Sequence, residues 1–213
     1  MIQNKPSALI YLVDDEFAVR DSLSLLIEST GQTILCFESA MSFLEGYNPA
    51  VPGCLLLDVR MPTMDGLELQ EELAKREIFI PIIFISGNAD IPDSARAFRA
   101  GAVDFLEKPF DSNVLLARIA EAIKKDVEHR RKIVEKRKLQ ERLNYLTERE
   151  KEVLCLIVSS YSNKEAAKAL DISKRTIDIH RAHIMEKMQA ENITELILMA
   201  MQCEVLGLNR NLH

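Results

Sequence analysis

Short apolar runs punctuate the first half of the chain: ALIYLV (8–13), TILCF (33–37), CLLLD (54–58), IPIIFI (80–85) and VDFL (103–106). Between them lie stretches of helical period, at 16–29, 39–46, 65–76 and 90–100, and another begins near Ser112. A strand that is apolar throughout needs cover on both faces, so strand-helix alternation repeated five times predicts a parallel sheet wrapped by helices. The expected fold of residues 1–123 is a doubly wound, five-stranded α/β domain. In such sheets ligands gather outside the carboxyl ends of the strands, where the strand order reverses.

The pattern then changes twice. From Ser112 to about Tyr145 no glycine or proline interrupts the chain, and KKDVEHRRKIVEKRKLQER (124–142) is nearly all charged. Leu115, Leu116, Ile119 and Ile123 give the last sheet helix an apolar stripe. Val127, Ile133, Val134, Leu139 and Leu143 make only a thin, irregular seam, so residues 124–146 read as a solvated helical linker, with a dimeric coiled coil as the alternative. Thr147 and Glu150 then form a capping box ahead of VLCLIV, which predicts a helix start at 147. Helices are expected at 163–170, 174–188 and 193–203, with DIS (171–173) a tight turn. Residues 147–213 should therefore form an all-α, four-helix domain.

Charge divides along the same lines. The net charge of -6 hides 19 acidic against 9 basic residues in 1–123, 9 basic against 4 acidic in 124–146, and near balance in 147–213. Cys36, Cys54, Cys155 and Cys203 are far apart with no CxxC pair, which predicts reduced thiols rather than a metal or redox site. The six-residue apolar run at the N-terminus is too short for a signal peptide or a membrane span, so a cytoplasmic protein is expected.

Candidate chemistry falls at the strand ends. Asp14 and Asp15 follow the first strand, Asp58 ends the third, Ser86 the fourth, and Lys108 follows the fifth. Each alone has an ordinary explanation, as a cap, a turn or a surface lysine. Together, under the doubly wound topology, they meet on one rim. Clustered carboxylates repel unless a cation sits among them, and all-oxygen donors suit Mg²⁺. A metal-bound aspartate beside a lysine and a hydroxyl is suited to receiving a phosphoryl group.

VDDE (13–16), LLLDVRMPTMDG (55–66), FISG (84–87) and FLEKPF (105–110) resemble, in order and spacing, the receiver domain of two-component response regulators. The resemblance implies that Asp58 is the phosphoacceptor, with Asp15 the main carboxylate ligand of Mg²⁺. Asp14 acts largely through water, and the Arg60 backbone carbonyl is a further ligand. It also makes Ser86 the hydroxyl switch, Lys108 the phosphate partner and Phe105 the aromatic that changes rotamer. Ser and Phe stand where Thr and Tyr are also common. Lys108–Pro109 is commonly cis in the family, and Arg60 and Asn88 flank the phosphate.

In the helical half, a short helix, a tight turn and a longer helix give the pattern of a helix-turn-helix. At about 100° per residue, Ile177, Ile184 and Met188 share the core face of 174–188, with His180, read as packed and hydrogen-bonded, at its edge. Arg175, Asp178, Ile179, Ala182 and Glu186 lie opposite, where Ile179 and Ala182 suit contact with a thymine methyl. LTEREKEVLCLIVSSYSNKEAAKALDISKRTIDIHRAHIMEKM resembles the LuxR-type DNA-binding domain of the NarL/FixJ class, and the long charged linker is similar to the FixJ-like and styrene-regulator-like members. By position the resemblance makes Asp178, Ile179, Ala182 and Arg181 base readers. Lys164, Lys174, Arg175, Thr176 and Lys187 become phosphate contacts, and the helix from Ile193 the dimer interface.

The expected protein is thus a transcriptional response regulator, phosphorylated on Asp58 by a sensor histidine kinase, dimerising and binding a two-fold symmetric promoter site. It is not expected to be an enzyme. The alternatives are a Mg²⁺-dependent phosphohydrolase with Asp58 as covalent nucleophile, and a DNA-binding regulator that works without phosphorylation.

Overall fold

The computed structural model describes residues 8–87 and 91–203. Two compact units part between Arg130 and Arg131.

The first unit alternates β1 (Leu9–Val13), α1 (Phe17–Glu28), β2 (Thr33–Phe37), α2 (Ala40–Gly46), β3 (Gly53–Asp58), α3 (Gly66–Lys75), β4 (Ile82–Ser86), α4 (Ile91–Arg99) and β5 (Asp104–Glu107) before the long α5 (Ser112–Asn144). All strand pairs are parallel, in the order β2-β1-β3-β4-β5. The chain therefore runs outward from β1 to β2, then returns to the other side of β1 as β3. The reversal point falls between β1 and β3, beside Asp14 and Asp58.

Period-two alternation fills both faces of the sheet. Tyr11, Val13, Leu55, Leu57, Ile82 and Phe84 pack with Phe43 of α2, Leu69 and Leu73 of α3 and Ala97 of α4. Ile10, Leu12, Cys54, Leu56, Ile83 and Ile85 pack with Leu23 and Ile27 of α1 and Leu115 and Ile119 of α5. Every residue of β3 and β4 is buried, which is why these strands lack polar alternation.

Of the 124–146 segment, the start is built into the first unit. Asp126 is fully buried, and its Oδ2 accepts from the Gly53 amide (2.8 Å) and from Arg130 Nε (2.7 Å). Gly53 itself lies so close to β1 that a Cβ there would sit 2.0 Å from the Leu9 carbonyl oxygen. Phe79 stacks on His129 at 3.6 Å.

The second unit holds the end of α5 with α6 (Glu148–Val158), α7 (Asn163–Ala169), α8 (Lys174–Met188) and α9 (Ile193–Gln202). Leu139, Leu143 and Leu146 are buried there, and the latter two join Val153, Leu154, Ile177, Ile184, Met188, Leu196 and Ala200 in one core. The seam residues Val127, Ile133 and Val134 are exposed, as a solvated helix requires, whereas Leu139 and Leu143 are not. Side chains cap each helix: Thr147, Ser162, Ser173 and Asn192 accept from backbone amides in the first turn. Asp171, at φ 51°, makes the tight turn between α7 and α8. No helix among the described residues is long and apolar enough to cross a membrane.

Candidate functional site

Asp58 closes β3 where apolar packing on both sides fixes the backbone. Its carboxylate is buried and takes two hydrogen bonds of different kinds: Arg60 N–H donates to Oδ2 (2.7 Å) and Lys108 Nζ to Oδ1 (2.9 Å). The same ammonium donates to Oδ2 of Asp14 at 2.8 Å, so Lys108 bridges two buried carboxylates that come from different strand ends. Lys108 arrives there from β5, with its amide donating to the Ser86 carbonyl (2.7 Å) and a cis peptide to Pro109. Ser86 itself is buried at the end of β4.

Electrostatics follow from one cation among two carboxylates. Burial pushes the Asp58 carboxyl above the usual aspartate range, Lys108 pulls it down and Asp14 pushes it up again, with the balance upward. For Lys108 burial acts downward, and the two carboxylates outweigh it, so the ammonium is held more firmly than in water. The site is short of positive charge.

The loop after β3 shapes this rim. Val59 and Met61 are buried beside it, while the Arg60 side chain points outward to Asp93 at 3.2 Å. Thr63 adopts a left-handed φ of 72°. Gly66 opens α3 so close to β3 that a Cβ would lie 2.2 Å from the Asp58 carbonyl oxygen, and its amide donates to the Val59 carbonyl. The DG pair of MPTMDG is thereby explained: Asp65 caps α3 and Gly66 lets it press against the strand end.

Asp14, Asp58, Ser86 and Lys108 occupy one rim, as sequence alone suggested. Asp15 follows Asp14 after β1, with its side chain exposed. The cation between Asp14 and Asp58 is the Lys108 ammonium. Asp14 Oδ1 also accepts from the Glu16 amide (2.9 Å), so it serves the start of α1 as well. Phe105 is half-buried and stacks on Phe84 with ring centres 6.0 Å apart. Asn88 lies outside the described residues.

Arg20 was not legible as a site residue. Its Nη1 donates to the backbone carbonyls of Asp14 (2.7 Å) and Asp15 (2.9 Å), fixing the acidic turn after β1. The spacing from Asp14 places it on the second turn of the helix that follows, but an arginine there also fits an ordinary surface helix.

In the helical unit, Lys164, Lys174, Arg175, Asp178, Ile179 and Ala182 are exposed, and Thr176 and Arg181 half-buried. Lys174 and Arg175 stand at the N-terminus of α8, whose first turn has no acidic residue, so their charge adds to the positive end of the helix dipole. Thr176 Oγ1 lies 2.8 Å from Ser173 Oγ in the capping turn. Asp178 Oδ1 accepts from Asn163 Nδ2 at 2.6 Å.

Lys187, expected as a phosphate contact, pairs within the fold. Its ammonium donates to both oxygens of buried Glu150 (2.7 and 3.0 Å), because the Glu150 charge needs a partner inside the fold. His180 is half-buried, and its Nδ1 is buried with no hydrogen-bond partner among the described residues. On α9, Ile193, Leu198 and Met201 are exposed.

Comparison with known proteins accounts for both halves. Residues 10–120 match the response regulator receiver domain, and residues 144–200 match the luxR family of bacterial regulatory proteins. The response regulator protein TodT of Pseudomonas putida is 44% identical over 191 residues, covering 90% of this chain and 84% of TodT. The transcriptional regulatory protein FixJ of Bradyrhizobium diazoefficiens is 38% identical over 198 residues, covering 93% and 97%. Among solved structures, the response regulator StyR superposes with a TM-score of 0.80 at 37% identity, over 92% of this chain and 99% of StyR. Full-length FixJ from B. japonicum does so at 0.57 and 37%, over 95% and 100%. The chain belongs to the response regulators, as a transcriptional regulator with a receiver domain followed by a luxR-family DNA-binding domain.

Proposed function

We propose that Asp58 accepts a phosphoryl group from a sensor histidine kinase and that the phosphorylated protein pairs on DNA. The observation that carries this reading is Lys108 bridging Asp14 and Asp58 on the rim where Ser86 also ends its strand. An Asp58 oxygen forms the new bond to phosphorus as the bond from phosphorus to the kinase's histidine nitrogen breaks, and the electron pair leaves with the imidazole. Lys108 then turns from the carboxylate toward a phosphoryl oxygen, and the Ser86 hydroxyl donates to another. Phe105 follows the vacated space beside Ser86, which alters the outer face of β5.

The donor set fits Mg²⁺. Two buried carboxylates share one ammonium, Asp15 follows in the next position of the chain with its side chain exposed, and the oxygens are hard donors of the kind this ion takes with several waters. Asp14, Asp15, Asp58 and the Arg60 carbonyl would hold it, and it would supply the positive charge that phosphoryl oxygens need.

Each helical unit carries little net charge, so two copies on one site are needed to gather enough phosphate contacts. Lys164, Lys174, Arg175 and Thr176 serve as those contacts. Asp178, Ile179, Arg181 and Ala182 face the bases, and α9 pairs the copies through Ile193, Leu198 and Met201. Such a regulator works in the cytoplasm and turns over no substrate of its own.

Labelling with acetyl phosphate tests the assignment. Wild type should take up one phosphoryl group that Asp58→Asn does not. Steady turnover of small phosphoesters would favour a phosphohydrolase instead, and equal labelling of both proteins would rule out Asp58.

A further inference from the structure

An acidic side chain on a helix that approaches DNA is a cost, because it faces the phosphates with the wrong charge. Asp178 stands on the exposed face of α8, between Arg175 and Ala182, and no lysine or arginine among the described residues pairs with it. It does have a partner of another kind. Asn163, the first residue of α7, donates its amide Nδ2 to Asp178 Oδ1 at 2.6 Å. That bond crosses from one helix of the helix-turn-helix to the other and limits how the carboxylate turns. It leaves the charge in place and leaves Oδ2 without a hydrogen bond among the described residues.

Such a group is an acceptor only. In the major groove guanine offers two acceptors, thymine offers an acceptor and a methyl, and adenine offers a donor beside an acceptor. Cytosine alone offers a donor, N4, with no acceptor next to it. A fixed carboxylate rejects guanine and thymine by leaving two acceptors facing each other, and tolerates adenine less well than cytosine. Nearby on the same face, Ile179 is 48% exposed and apolar, and Ala182 lies four residues along. Four residues advance a helix by about 6 Å, roughly two base-pair steps.

Resting on the reading of α8 as the base-reading helix, we infer that Asn163 and Asp178 form a specificity pair: Asp178 reads a cytosine N4 in each half-site, and Asn163 is the positioning residue that aims it. Thymine is expected within about two base pairs of that cytosine, where Ile179 and Ala182 meet its methyl.

Selection of bound sequences from a random DNA pool by the phosphorylated full-length chain tests the pair. Wild type should enrich cytosine at one position per half-site, preferred over the other bases by about tenfold. Asp178→Asn, which adds a donor, should move that one position toward adenine, since an amide pairs with adenine N6 and N7. Asn163→Ala should blur the same position and leave the others sharp, a change that a general loss of stability would not produce. If Asp178→Asn leaves every position as in wild type, the inference fails while DNA reading by α8 stands. If no form enriches any sequence, both fail together.

Discussion

One ammonium shared by two buried carboxylates leaves Asp58 in a place where its charge is unwelcome, and that sets the behaviour of the metal-free protein. Its carboxyl is held above the ordinary range, so near and above that range the folded state binds protons the unfolded chain does not. The stabilising effect of protonation is fully present below the unfolded value and is lost as pH rises through the folded one. At neutral pH Asp58→Asn should therefore raise unfolding stability by about 1 kcal/mol, and the gain should vanish on acidification; urea melts across pH read both. Removing the ammonium does the reverse. Lys108→Ala leaves two carboxylates uncompensated and should cost about 3 kcal/mol without metal, with millimolar Mg²⁺ restoring part of it in thermal melts. Asp14, Asp58, Ser86 and Lys108 were legible because parallel strands bring their carboxyl ends together whatever their sequence separation. The exposure of Asp15 and the pairing of Lys187 with Glu150 were not, since each depends on where a neighbouring element puts its charge.

Elements are held by polar groups that sequence patterns mistake for surface. Asp126 sits in a nearly all-charged run and reads as solvated, yet it anchors α5 to the start of β3 through the Gly53 amide, 73 residues away. Asp126→Ala should orphan that amide and take one of Arg130's partners, leaving it the Pro49 carbonyl, costing about 2 kcal/mol, with faster hydrogen exchange at Gly53 as the local sign. Leu139, Leu143 and Leu146, spaced four and three apart, carry a helical core signal that the surrounding charges obscured. The strands and most helices were legible nearly to the residue, because apolar runs and capping boxes are local. Glu150 was legible as a cap, but its second bond was not: it closes the Thr147 box and also grips Lys187 of α8. Burial works against its charge, and Lys187 and Thr147 outweigh this, holding its carboxyl below the ordinary glutamate value of 4.5. The stability it contributes is present above that value and lost as pH falls through the lowered one. Glu150→Ala should cost about 3 kcal/mol at neutral pH, read as faster exchange of the α6 and α8 amides.

For the whole molecule, the acidic first half and the nearly neutral second half offer DNA phosphates little net positive charge per copy, and the proposed pairing of copies would supply the contacts that one copy lacks. Phosphorylation and DNA binding then share one coupling free energy, and each favours the other by the same factor. The family accounts for the two halves; the proposal that phosphorylation of Asp58 links them is what remains to be measured. The most direct measurement is DNA affinity, on a site selected from a random pool, for wild type and Asp58→Asn with and without acetyl phosphate. Wild type should bind at least about tenfold more tightly once phosphorylated, and Asp58→Asn should not respond. Equal affinity of wild type before and after stoichiometric labelling of Asp58 would contradict the account.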